Sequence, residues 1–132
     1  MIDYRVKKQL HILIQLAKAD NVFSEAEKEA IRKIGLENGA DKKEIEKMFD
    51  SSDISDSLAP MTLYQKSNFL LDMIMVLLAD KEIHEKEENF SKVIATKLGF
   101  KESVIDFLLE YNSLDRSVLM EMMIPYCIQN QT

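Results

Sequence analysis

Sliding the chain against itself by 60 residues lays Leu10–Phe49 over Leu70–Leu109 without a gap. Nine of the 40 aligned positions are identical: Leu10/Leu70, Ile14/Ile74, Ala19/Ala79, Asp20/Asp80, Glu25/Glu85, Glu27/Glu87, Ile34/Ile94, Gly39/Gly99 and Ile45/Ile105. Identity at that level is weak on its own. A constant offset held through two turns and three segments of helical periodicity is stronger. One such segment trio cannot bury its apolar faces alone, whereas two packed about a pseudo-two-fold axis can. The 132 residues suit one domain built this way.

Each half reads as helix, acidic turn, helix, Gly turn, short helix. From Tyr4 to Ala19, Val6, Leu10, Leu13, Leu16 and Ala17 fall at helical spacing, and Asn21 suits a left-handed helix end. Ser24 with Glu27, Asp41 with Glu44 and Thr62 with Gln65 have capping-box spacing and predict three helix starts. Gly39 and Gly99 predict two stops. Phe69 to Leu78 is apolar nearly all round, so this helix belongs at the centre. The resulting expectation is an all-α fold of about seven helices. It comprises a first repeat over about 4–50, a polar linker over 50–59, a second repeat over about 60–111 and a C-terminal helix over 114–126. Only three Gly and two Pro interrupt the chain, consistent with helix throughout.

Several functions are excluded on composition. The net charge is −6 and Lys and Arg are scattered, which argues against nucleic-acid binding. The apolar run Phe69–Ala79 is broken by Asp72 and falls short of the roughly 20 residues of a bilayer span. The opening segment lacks a small-residue cleavage site, so a cytoplasmic location is expected. The single Cys127 can form no internal disulfide and is expected to be a buried small hydrophobe. His11 sits among Leu10, Ile12 and Leu13 and is expected to be a partly buried core histidine. The stretch "HEKEE" at His84 lacks a second His, and the chain holds neither a G-x-S-x-G motif nor a phosphate-cradling loop. No catalytic constellation is present, so a non-enzymatic protein is expected.

The stretch "AKADNVFSEAEKEAI" resembles the motif of the TerB (tellurite-resistance) family, and "LLADKEIHEKEENF" occupies the place of that family's second repeat. The resemblance covers nearly the whole chain. It implies an all-α fold of about seven helices and a stress-response role. The family's acidic clusters have prompted suggestions of metal binding. Its motif positions fall on Asp20, Ser24 and Glu27, and on Asp80 and Glu87. Two departures stand out. The motif's Gly is Asn21 and then Lys81, and the second Ser is His84. A Lys in the left-handed region costs roughly 1 kcal/mol, and His caps less well.

The acidic corners admit three readings. An EF-hand is not one of them. With Glu27 or Glu87 as its last ligand, earlier ligand places fall on Leu16 and Lys18, or on Val76 and Leu78. In the first reading, Glu27 and Glu87 are capping residues, with Glu25 and Glu85 favoured by the helix dipole. In the second, Asp20, Glu27, Asp80 and Glu87 form a paired acidic face for a protein partner. In the third, Asp80, His84, Glu87 and Glu88 hold a divalent cation such as zinc or manganese. Asp20 and Asp80 end helices where the dipole disfavours an anion, and capping does not explain them. The expected function is a cytoplasmic interaction domain with a paired acidic face; its rival is a divalent-cation module. Met120, Met122 and Met123 are either core filler or a surface for a partner or a homodimer.

Overall fold

The computed structural model describes residues 4–19, 23–50, 61–79 and 83–128. The described residues form seven helices: α1 (Tyr4–Ala17), α2 (Glu25–Glu37), α3 (Lys42–Phe49), α4 (Leu63–Ala79), α5 (Glu85–Lys97), α6 (Ser103–Glu110) and α7 (Arg116–Met123). A 3₁₀ turn, Ile124–Tyr126, follows α7. No helix among the described residues is long and apolar enough to cross a membrane. Asn21, Lys81 and all of the polar linker beyond Asp50 lie outside the described residues.

The predicted starts are made as the residue types dictate. Glu27 N donates to Ser24 Oγ at 3.1 Å, and Ser24 N donates to Glu27 Oε1 at 2.9 Å. Asp41 with Glu44 and Thr62 with Gln65 repeat the exchange. Each box satisfies donors that a helix leaves orphaned. The stops are equally local. Gly39 and Gly99 take φ of 94° and 93°, which L side chains rarely adopt. Just beyond them, Ala40 N donates to Gly35 O at 2.9 Å and Phe100 N to Ala95 O at 3.0 Å. These bonds close the ends of α2 and α5 in the same way, 60 residues apart.

Two boundaries differ from expectation. α1 ends at Ala17, because Ala19 N turns to Leu16 O and tightens the last turn. α7 spans Arg116–Met123 rather than 114–126: Asp115 is its N-cap, and Pro125 draws the end into the 3₁₀ turn. Past that turn, Cys127 pairs with Phe100 in an isolated antiparallel bridge, with Lys101 N on Tyr126 O and Ile128 N on Gly99 O, both at 2.7 Å. Cys127 is therefore half-buried rather than buried, and burial still pushes its thiol up. His11 is half-buried, as its apolar neighbours suggest.

α4 is the centre. Phe69, Leu70, Leu71, Met73, Ile74, Val76 and Leu77 are all buried, and only the side of Asn68, Asp72 and Met75 is left half-buried. It packs on α1, α2, α5, α6 and α7. The remaining contacts exchange between the halves: α1 packs on α2 and α4 on α5, while α2 crosses to α4 and α5 crosses to α1. α3 clips onto α2 and α6 onto α5. The clips use matched residues. Arg32 reaches Glu46 through Nε and Nη2, at 2.6 and 3.2 Å, and lies over the Phe49 ring. At the same offset, Lys92 Nζ lies 3.4 Å from Asp106. Arg32 holds the Glu46 carboxyl below the usual carboxylate range.

α2 also requires a close approach. A Cβ on Gly35 would stand 2.7 Å from Ile45 Cδ1 and 3.1 Å from Ile45 Cγ1. Ile45 is fully buried, so it has little room to turn. Gly→Ala in a helix ordinarily gains about 1 kcal/mol. Gly35→Ala is expected instead to destabilise by about 1–2 kcal/mol in urea denaturation. In an Ile45→Val background, which removes Cδ1, that cost should shrink; an unchanged cost would show that the contact is not what makes Gly35 necessary.

Candidate functional site: the acidic corners and an apolar groove

The structure buries the two carboxylates that were expected on an acidic face. Glu27 and Glu87 are each only 1% exposed. Glu27 Oε1 accepts from Ser24 N and from Ser24 Oγ, and Glu87 Oε1 accepts from His84 N at 3.4 Å. Both side chains fold back over their helix N-termini, where the dipole and cap N–H groups replace water. They offer a partner no surface. Asp20 and Asp80 lie outside the described residues. Glu88 turns along α5 to Lys92, 3.3 Å away. Among the described residues, no three His, Cys, Asp or Glu side chains are grouped to hold a metal ion. The described members of the cation set, His84, Glu87 and Glu88, are thus engaged in a cap and an ion pair.

The two corners differ in their apolar content. In the first, Phe23 packs edge-on against Phe49, with centroids 5.2 Å apart, and Lys18 and Lys28 cover its ring. Lys18 Nζ also donates to Phe49 O at 2.7 Å, closing the corner. In the second, Leu78 and Ile83 stand where Lys18 and Phe23 stand in the first, and both are exposed.

Leu78 opens onto a groove between α4, α6 and α7. Its walls are Leu71, Ile74, Met75 and Leu78 of α4, Leu108 of α6, and Leu114 and Leu119, with Asn112 and Arg116 at the rim. The void is about 130 Å³. That is near the roughly 150 Å³ apolar cavity that admits a benzene ring. Along α7, Val118 and Met122 stand at i and i+4 on one face and are both exposed; Leu114, before the helix, is exposed as well. Of the three methionines at issue, Met123 is core, Met120 is partly buried and Met122 is exposed. The corresponding positions of the first half are informative. His11, Gln15 and Lys18 stand there in place of Leu71, Met75 and Leu78. Leu71 is buried, but Met75 stays half-buried and Leu78 exposed.

α7 is held to α4 by one polar clamp. Arg116 Nη2 donates to Asp72 Oδ1 at 2.7 Å and to Asn68 O at 2.9 Å, and Arg116 Nε donates to Asn68 Oδ1 at 2.9 Å. The Asp72 side chain is 15% exposed, against 41% for Arg116. Burial pushes the Asp72 carboxyl above the usual carboxylate range, and Arg116 only partly reverses this. Asp72 is visible in the sequence as the acid that interrupts an apolar run. Its partner, 44 residues away, is not. Beside this clamp a polar cleft runs past Asn38, Asn68 and Asp72, but its charged groups include the clamp itself.

Comparison with family models, curated proteins and solved structures gives no match.

The clamp has a pH signature. Because the folded-state pKa of Asp72 is raised, the native state binds its proton more tightly than the unfolded chain does. The stability this contributes is present below the unfolded carboxylate value, near 3.9, and is lost as pH rises through the raised value. Asp72→Asn should therefore gain stability relative to the native protein as pH rises from about 4 through the raised value, as read by thermal melts. Arg116→Ala, which strips the buried carboxylate of its cation, should cost about 1–3 kcal/mol at pH 7. A native protein that gains on Asp72→Asn over this range would reverse the sign and contradict the assignment.

Proposed function

We propose that the chain is a non-enzymatic interaction domain of TerB-like type, and that it docks an apolar helical segment of a partner protein in the groove between α4, α6 and α7. The observation that carries this reading is the apolar groove walled by Leu71, Ile74, Met75, Leu78, Leu108, Leu114 and Leu119, with Val118 and Met122 exposed on α7, one of the helices that forms it. Contiguous exposed apolar surface of this kind marks an interaction site more often than scattered single residues do. The comparison between halves supports it: three polar positions on and just after α1, His11, Gln15 and Lys18, are apolar on α4, where Leu78 stays exposed. The seven-helix layout and the "AKADNVFSEAEKEAI" corner agree with a TerB-like origin, and the matched caps, Gly turns and interhelical clips agree with duplication of a three-helix unit. A cytoplasmic setting and a stress-response role are part of the same proposal.

The paired acidic face is replaced by this groove, because two of its four carboxylates serve as caps. A photo-reactive side chain placed at Val118 in living cells is expected to give a discrete protein adduct, and one placed at the exposed Val93 is not. Val118→Ser with Met122→Ser should remove the α7 site while moving stability by no more than about 0.5 kcal/mol, as surface changes do. Equal adducts from both positions, or none from Val118, would contradict the docking role.

A further inference from the structure

We propose that the polar cleft between α1, α2 and α4 binds a small neutral polyhydroxyl ligand, a monosaccharide or a cyclic polyol. This site does not rest on the docking role of the groove. Four carboxamide side chains converge on the cleft from three helices: Gln9 of α1, Asn38 at the end of α2, and Gln65 and Asn68 of α4. The void they line is about 260 Å³. Asn38, Asn68 and Asp72 also line an adjoining void of about 370 Å³. Small-molecule sites begin at roughly 300 Å³, so there is room for one sugar ring.

Each carboxamide is anchored by one end only. Gln65 Oε1 accepts from Thr62 N at 2.9 Å and Asn68 Oδ1 accepts from Arg116 Nε at 2.9 Å, which leaves their NH2 groups as donors. Asn38 Nδ2 donates to Ile34 O at 2.7 Å and Gln9 Nε2 faces Met61 Sδ at 3.6 Å, which leaves their carbonyl oxygens as acceptors. These four remaining ends have no hydrogen-bond partner among the described residues. A hydroxyl donates and accepts through one oxygen, so a ring of hydroxyls can meet this mixed set; a carboxylate only accepts and an ammonium only donates. Charge points the same way. Asp72 stands in the cleft already paired with Arg116 at 2.7 Å, Arg5 lines it too, and the adjoining void adds Lys33 and Glu37. A ligand ion of either sign meets a charge of its own sign there. Val6 and Phe69 supply apolar lining for the C–H face of a ring. Phe69 is only 1% exposed, so a nucleobase finds no aromatic face to stack on.

The test titrates D-glucose, D-mannose, D-ribose and myo-inositol separately into the ¹⁵N-labelled full chain and follows the side-chain NH2 resonances by NMR. At least one of the four is expected to shift those of Gln65 and Asn68 saturably. Its affinity should fall about tenfold with Gln9→Met and with Asn38→Ala, each of which removes one acceptor. It should be unchanged by Val118→Ser/Met122→Ser, which lies on α7 and outside the cleft. Neither glucuronate nor glucosamine should match the best neutral probe. Thermal melts establish that each variant is folded, and Gln9→Met, which keeps the length of the side chain, guards against loss of structure. Tighter binding of either charged sugar would overturn the neutral class of ligand. No shift from any of the four probes, or undiminished affinity in a folded Gln9→Met or Asn38→Ala protein, would overturn the site itself.

Discussion

Everything in this fold answers to α4, a helix whose surface is apolar except along Asn68 and Asp72. Such a helix is stable in water only if it is enclosed. One three-helix unit has too few faces to enclose it. The solution is exchange: α2 of the first half crosses to α4, α5 of the second crosses to α1, and α6 and α7 close the remaining sides. The short helices α3 and α6 then serve as clips, tied by Arg32 to Glu46 and by Lys92 to Asp106. The C-terminal turn is stitched to the Gly99 corner by backbone bonds and packs its Tyr126 ring on Phe107.

The two corners are closed differently, and the function proposed here sits at the less closed one. The first corner seals its aromatic, Phe23, under two lysines and against Phe49. The second corner has Leu78 and Ile83 instead, with no cation at the corresponding place. α7 has no counterpart after α3 among the described residues. It packs on α4 but spans only eight residues, about 12 Å of helix, and leaves Leu78 and its own Val118 and Met122 exposed. An apolar ledge remains, held at fixed geometry by the Arg116 clamp. A rigid platform of this kind lowers the ordering cost of binding.

Local features were legible in the sequence; the site was not. Capping boxes, Gly turns and the central helix depend on residues within a few positions of one another, so spacing exposes them directly. The same logic identified Glu27 and Glu87 as N3 caps, but spacing alone could not show that the capping geometry would also bury them and remove them from any acidic face. The groove combines α4, α6 and α7, and its clamp joins residues 44 positions apart. No window along the chain contains it. A signal did exist: aligning the halves shows His11, Gln15 and Lys18 becoming Leu71, Met75 and Leu78. Read singly, those apolar residues look like ordinary core. The exposed face of α7 was similarly hidden, because Met120, Met122 and Met123 read as one cluster until the helix phase separates Met123 inward from Met122 outward.

The most direct measurement is a methyl NMR spectrum of the protein labelled at its methionine methyls, titrated with benzene as a small apolar probe. Met75 lines the groove, whereas Met73 and Met123 are fully buried and Met48 lies in the core on α3. An open, apolar groove requires a saturable shift of the Met75 methyl with Met48 and Met73 unmoved. A Met75 resonance indifferent to benzene, or shifts spread evenly over the core methionines, would mean that the groove is closed in solution and that the docking account is wrong.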